Sequence, residues 1–103
     1  MLLNKYIDHT ILKPTTLISD IEKLSSEAIA YQFAAVCVPP NFIKNAKELT
    51  KDSIVKVATV IGFPFGYSAV EAKLAETLLA IVDGADELDI VINISARNGF
   101  WRF

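Results

Sequence analysis

Only one cysteine, Cys37, occurs in the 103 residues, so no internal disulfide framework is available and a reducing compartment is implied. No apolar run approaches the roughly 20 residues of a membrane span. The start, Met1-Leu2-Leu3-Asn4-Lys5 with Asp8 and His9 close behind, lacks the plan of a signal peptide. Basic residues are scattered and the formal net charge is −2, which leaves no footprint for nucleic acid or an anionic membrane. The glycines match neither a phosphate-cradling loop nor a dinucleotide fingerprint. Linkers, low-complexity tracts and an acidic tail are also missing. These absences describe a cytoplasmic protein with neither a nucleic-acid nor a membrane partner.

Apolar residues are abundant. At 52% hydrophobic residues and positive mean hydropathy, the chain is apolar for its size. It is long enough for one modest core over residues 1–103, and its apolarity is that of one layer of a larger assembly. The stretch Glu87-Leu88-Asp89-Ile90-Val91-Ile92-Asn93 alternates with period two, and Val91 makes its second face partly apolar. A strand covered on both sides makes a carboxylate costly unless it is hydrogen-bonded or paired, so Asp89 is a functional candidate as well as a possible loop anchor.

Three further apolar runs read as strands: 6–12, 34–38 and 54–61. Lys13-Pro14 closes the first, because the residue before proline is pushed away from helical geometry. Ser19 with Glu22, and Ser68 with Glu71, have the spacing of capping boxes and predict helices ending near Gln32 and near Asp83, the latter stopped by Gly84. Ile21, Leu24, Ala28 and Tyr31 form the apolar face of the first helix. Pro40 and Asn41 open a short helix to Leu49 with Phe42, Ile43 and Ala46 turned inward and Lys44, Lys47, Glu48 and Lys51 solvated. The connection 62–67 is a loop. The order β-α-β-α-β-α-β, with strands apolar on both faces, predicts an α/β fold of four parallel strands with three main crossover helices. A (β/α)8 barrel needs about twice this length.

Four motifs carry a family resemblance: Ile7-Asp8-His9-Thr10-Ile11-Leu12-Lys13-Pro14, Ala35-Val36-Cys37-Val38-Pro39-Pro40, Lys56-Val57-Ala58-Thr59-Val60-Ile61-Gly62-Phe63-Pro64 and Gly84 to Asn93. Together, in this order, they resemble deoxyribose-phosphate aldolase, over the N-terminal half of that family's (β/α)8 TIM barrel. The resemblance implies reversible cleavage of 2-deoxy-D-ribose 5-phosphate to acetaldehyde and D-glyceraldehyde 3-phosphate through a lysine Schiff base, with no metal and no cofactor. By the same resemblance Asp89 is the acid/base aspartate, working through a bound water, and Asp8 organises the hydrogen-bond network of the catalytic lysines. Thr10, Cys37 and Phe63 match positions lining the pocket near the small aldehyde.

The family's Schiff-base lysine lies on its sixth strand, a second lysine on its seventh, and its phosphate site in later loops, segments with no counterpart in these 103 residues. A Schiff-base amine must be neutral to react. Of the eight lysines, Lys56 is flanked by valines but stands at the start of its strand, and Lys13 stands at the correct end beside acids that would keep it charged. His9 points away from Asp8 on the same strand and reads as a packing residue. Cys37 in its apolar run reads as inert packing in its own right. Asp86, Glu87 and Asp89 are too few for a hard-metal site. The expectation is a truncated aldolase homologue with absent or very weak activity; the alternatives are a self-assembling half-barrel without catalysis, or a fragment of a longer enzyme. Exposed edges on the first and fourth strands, with Trp101 and Phe103 as an apolar contact, predict association with itself, as a dimer completing eight strands or as a filament.

Overall fold

Each of the four apolar runs forms a strand, and all four lie parallel in sequential order. The computed structural model describes residues 2–92 and 100–102. A 3-10 turn, Leu2–Tyr6, leads into β1 (Asp8–Thr10), followed by α1 (Ile18–Tyr31), β2 (Ala35–Val38), a 3-10 turn at Pro40–Phe42 and α2 (Ile43–Thr50). Then come β3 (Lys56–Ile61), α3 (Val70–Asp83), β4 (Glu87–Val91) and a short β5 (Phe100–Arg102). The sheet order is β1-β2-β3-β4-β5, parallel except for the antiparallel β4–β5 pair.

Sequential order with parallel pairing sends every crossover over the same face, the singly wound arrangement of a barrel. One core cluster shows it: Ile21, Leu24 and Ala28 of α1, Ile43 and Ala46 of α2 and Ala80 of α3 all pack with Val36, Val38, Val57, Ile61 and Leu88. Fully burying one such aliphatic side chain is worth about 1.5–3 kcal/mol. Thr59 is polar on this face and fully buried, and its hydroxyl donates to the Val38 carbonyl at 2.7 Å. The opposite face carries only a small cluster of Cys37, Ala58 and Val60, with Leu12 against it. The expected fold, half of a (β/α)8 barrel, is the observed one.

Several local expectations are corrected. The first strand is three residues long, because 2–6 coil into a 3-10 turn. Neither predicted capping box forms. Helix α1 starts two residues earlier than a Ser19 cap requires, with Asp20 Oδ2 accepting the Leu17 N–H at 2.8 Å, and α3 starts after Ala69 without a side-chain cap. Tyr31 is exposed; α1 ends there, with Gln32 in the left-handed conformation (φ 55°), and the ring stacks on Phe33 at 5.8 Å. Gly84 does stop α3, at φ 106°. The edge of β4, expected to be open, is paired with β5, and among the described residues β1 has a strand on one side only. Asn93 and Phe103 lie outside the described residues, as does the side chain of Trp101, and with them the expected apolar contact.

Candidate active site

Alternation in each strand sends one set of side chains to the helices and the other to the opposite, inner face. Asp8, Thr10, Cys37, Ala58, Val60 and Asp89 share the inner face, as the register shows: Thr10 pairs with Cys37, Cys37 with Ala58, and Val60 with Asp89. By pairing, Asp89 stands four residues further along the strand direction than Asp8, about 13 Å at 3.3 Å per residue. Both nevertheless border one cavity, because a sheet of this kind twists and coils. That cavity, about 300 Å3, is lined by Asp8, Thr10, Leu12, Cys37, Val60, Phe63 and Asp89. All five residues singled out in the sequence therefore border one cavity of the inner face, Asp8 from the start of β1, where it also borders the cavity of Lys5, Lys56 and Glu87. Leu12 and Val60 were not singled out; their period-two placement with Thr10 and Ala58 was the signal available.

Phe63 reaches the cavity from the loop after β3, and α3 fixes that loop. Glu76 Oε1 accepts the Gly62 N–H at 2.7 Å, and the Lys73 ammonium donates to the Gly66 carbonyl. Gly66 itself donates its N–H to the Gly62 carbonyl at 2.8 Å. Its φ is +74°, and a Cβ there would stand 2.0 Å from the Ile92 carbonyl oxygen, so the loop can rest on the end of β4 only with glycine at this position. The loop also bounds a second cavity of about 270 Å3 with Ala72 and Glu76. Lys73 and Glu76 had no part in the sequence reading. Their signal is two charged residues three apart on the sheet-facing side of an otherwise apolar helix.

The acidic run of β4 is divided between two roles. Asp86 accepts the Val57 N–H at 2.8 Å and the Lys47 ammonium at 3.0 and 3.1 Å. Burial opposes its charge, but the Val57 N–H and Lys47 outweigh this and hold the carboxyl below the usual aspartate value. Asp86 thus ties α2, β3 and β4 together at the N-terminal end of the strands, and Lys47, expected on the solvated side, is its partner. Glu87 is on the inner face with Lys56 and Lys5 around a third cavity at that same end. Among the described residues no group of three or more His, Cys, Asp or Glu is placed to hold a metal ion. His9 faces the helices: Nε2 lies 2.9 Å from Glu27 Oε1, and its ring meets Phe33 edge-on at 5.4 Å. It is a packing residue, as expected. Among the described residues no lysine lines the Asp89 cavity.

The model of DeoC/LacD family aldolases matches residues 2–100 of this sequence. The chain belongs to that family. It is 55% identical over 92 residues to the deoxyribose-phosphate aldolase of Metamycoplasma hominis, covering 89% of this chain and 42% of that protein. With the Streptococcus suis enzyme the identity is 57% over 96 residues, covering 93% and 44%. Among solved structures, the tetrameric deoxyribose-phosphate aldolase of Aeropyrum pernix superposes with a TM-score of 0.85 at 35% identity, over 91% of this chain and 40% of that one. The chain spans less than half the length of these family relatives. Four parallel strands over that share of an aldolase correspond to half of an eight-stranded barrel.

Proposed function

We propose that this chain forms the proton-transfer half of a deoxyribose-phosphate aldolase site, for reversible cleavage of 2-deoxy-D-ribose 5-phosphate to acetaldehyde and D-glyceraldehyde 3-phosphate. The observation that carries the reading is the convergence of Asp8, Thr10, Cys37, Phe63 and Asp89 on one inner-face cavity, which extends to the C-terminal strand ends where barrel enzymes hold their chemistry. Aldol cleavage takes a proton from the hydroxyl on one side of the breaking carbon–carbon bond, while the electron pair passes to an iminium on the other. Asp89 serves the proton step through a water, Asp8 orders the hydrogen bonds around the amine, and Thr10, Cys37 and Phe63 shape the space for the two-carbon aldehyde.

The amine is the missing part. Because no lysine among the described residues lines the cavity, the 103 residues by themselves should have absent or very weak cleavage activity, and a lysine-bearing second half should restore it. Borohydride reduction in the presence of acetaldehyde tests this. The chain alone should give no specific lysine adduct, and with a lysine-bearing second half it should give one together with cleavage that Asp89→Asn abolishes. An adduct on Lys13 or Lys56 of the chain alone would overturn the division of labour.

A second reading is a self-assembling half-barrel without catalysis. It is favoured by the side of β1 that no strand pairs among the described residues and by the large apolar side chains left exposed on α3. Under this reading Asp89→Asn leaves association unchanged and there is no cleavage to lose.

A further inference from the structure

We propose that Lys73 and Glu76 of α3 are positioning residues that set where Phe63 stands in the Asp89 cavity, and thereby the size of aldehyde the site admits. The placement of Phe63 stands on geometry alone, while the selection of aldehyde rests on the aldolase reading. Neither Lys73 nor Glu76 lines that cavity, so both act through the loop 62–67.

Phe63 is the adjustable wall. Asp8, Thr10, Cys37, Val60 and Asp89 are held by the sheet, and Leu12 packs on the cluster of Cys37, Ala58 and Val60. Phe63 has no such support. It is 43% exposed and borders three cavities: the Asp89 cavity, the one of about 270 Å3 bounded by its own loop, and one of about 80 Å3 beside Pro39 and Pro40. Close packing fixes a side chain only where neighbours fill the space around it. With open volume on several sides, the ring is fixed by the backbone of its loop.

That backbone is gripped by α3 at two points. The Gly62 N–H, the first beyond β3 and immediately before Phe63, donates to Glu76 Oε1 at 2.7 Å. The Lys73 ammonium donates to the Gly66 carbonyl, three residues beyond Phe63. A Cβ at Gly62 would stand 2.9 Å from Lys73 Cε, so the lysine stem runs against Gly62 on its way to Gly66. Residues three apart share a helix face, which lets one face of α3 hold both ends of the loop. Opposite that grip lies the end of β4. A Cβ at Gly66 would stand 2.0 Å from the Ile92 carbonyl oxygen, and one at Gly62 would stand 3.4 Å from that of Val91. Asp89 lies two residues before Val91. The loop is clamped between α3 and the strand that carries Asp89, and the clamp sets the gap between Phe63 and Asp89. An apolar pocket discriminates a single methylene by roughly tenfold or more, so a small shift of Phe63 changes which aldehyde fits.

Two readouts test this, with circular dichroism to confirm folding of each variant. In the chain alone, Cys37 is the single cysteine, lines the cavity with Phe63 and is 4% exposed. Its rate of reaction with N-ethylmaleimide reports how far the cavity opens. Glu76→Ala should raise that rate roughly three- to tenfold, the population change that losing one hydrogen bond allows, toward the rate of Phe63→Ala. Glu76→Gln keeps an oxygen that can accept the Gly62 N–H and should stay near the parent rate. Lys73→Met should fall between them. Ile21→Val trims the core on α1 without touching the loop and should leave the rate unchanged in the absence of denaturant. In the chain complemented by a lysine-bearing half, Glu76→Ala should raise kcat/KM for propanal relative to acetaldehyde, in the condensation direction, by on the order of tenfold. A merely structural loss would lower both alike.

An unchanged Cys37 rate in folded Glu76→Ala, or a Glu76→Gln variant as fast as Glu76→Ala, would overturn the positioning role. A raised Cys37 rate with an unchanged aldehyde ratio would overturn the selection of aldehyde. A complemented parent without cleavage would sink the aldolase reading and the aldehyde selection with it. The Cys37 rates would then still decide whether Lys73 and Glu76 position Phe63.

Discussion

The same four strands present two faces of opposite character. Toward the helices they place Val36, Val38, Val57, Ile61 and Leu88, closed over by three helices into one continuous core. Toward the inside they place Asp8, Thr10, Cys37 and Asp89 around an open cavity, backed only by Ala58, Val60 and Leu12. Stability is concentrated on the first face, and the proposed chemistry on the second. A substitution should therefore report its face by whether folding or function is lost.

The largest effect is expected on the helix-facing side. Ile61→Ala removes a fully buried side chain and should cost about 2–5 kcal/mol, a large part of the stability of a chain this size, as a lowered urea midpoint would show. Gly66→Ala tests the loop that carries Phe63 to the inner face. With φ at +74° and the Ile92 carbonyl in the way, it should cost about 1–3 kcal/mol and displace Phe63. A midpoint equal to that of the parent chain would mean that the loop does not rest on β4.

Asp86→Asn sits between the faces, at the N-terminal end of the strands, and should cost about 1 kcal/mol at neutral pH. Its pKa is lower folded than unfolded, so its contribution is present above the ordinary aspartate value near 4 and fades as pH falls through the folded value. The difference between parent and variant in urea titrations should thus vanish on acidification; a difference that persists at low pH would assign the role to shape alone. Asp89→Asn is the sharpest inner-face test. It should shift the midpoint by about 1 kcal/mol or less while removing cleavage in the complemented protein. Glu27→Gln, at the half-exposed contact with His9, should be smallest, at about 0.5 kcal/mol or less. A larger loss there would make that pair part of the core.

Much of this contrast was legible in the sequence because it depends on period two. Alternation alone separates Asp89 from Leu88 and Ile90, and His9 from Asp8, and the structure keeps both separations. The helix ends were less legible. Ser19 with Glu22 and Ser68 with Glu71 have capping-box spacing, but a cap depends on which residue first turns helical, and packing started α1 at Ile18 and α3 at Val70. Tyr31 fits the apolar period of α1, yet the helix runs out there and leaves the ring outside.

By itself the sequence determined the order of elements, the parallel singly wound plan, the inner face of each strand and the family to which the chain belongs. All of these follow from patterns a few residues long. Tertiary structure alone decided that Asp86 serves α2 and β3 while Asp89 serves the cavity. It also decided that Lys73 and Glu76 hold the loop bearing Phe63, that β5 pairs with β4, and that the apolar side of α3 faces outward. Those outcomes depend on which distant segments meet, because hydrogen bonds and burial between residues such as Lys47 and Asp86 exist only after the crossovers have packed.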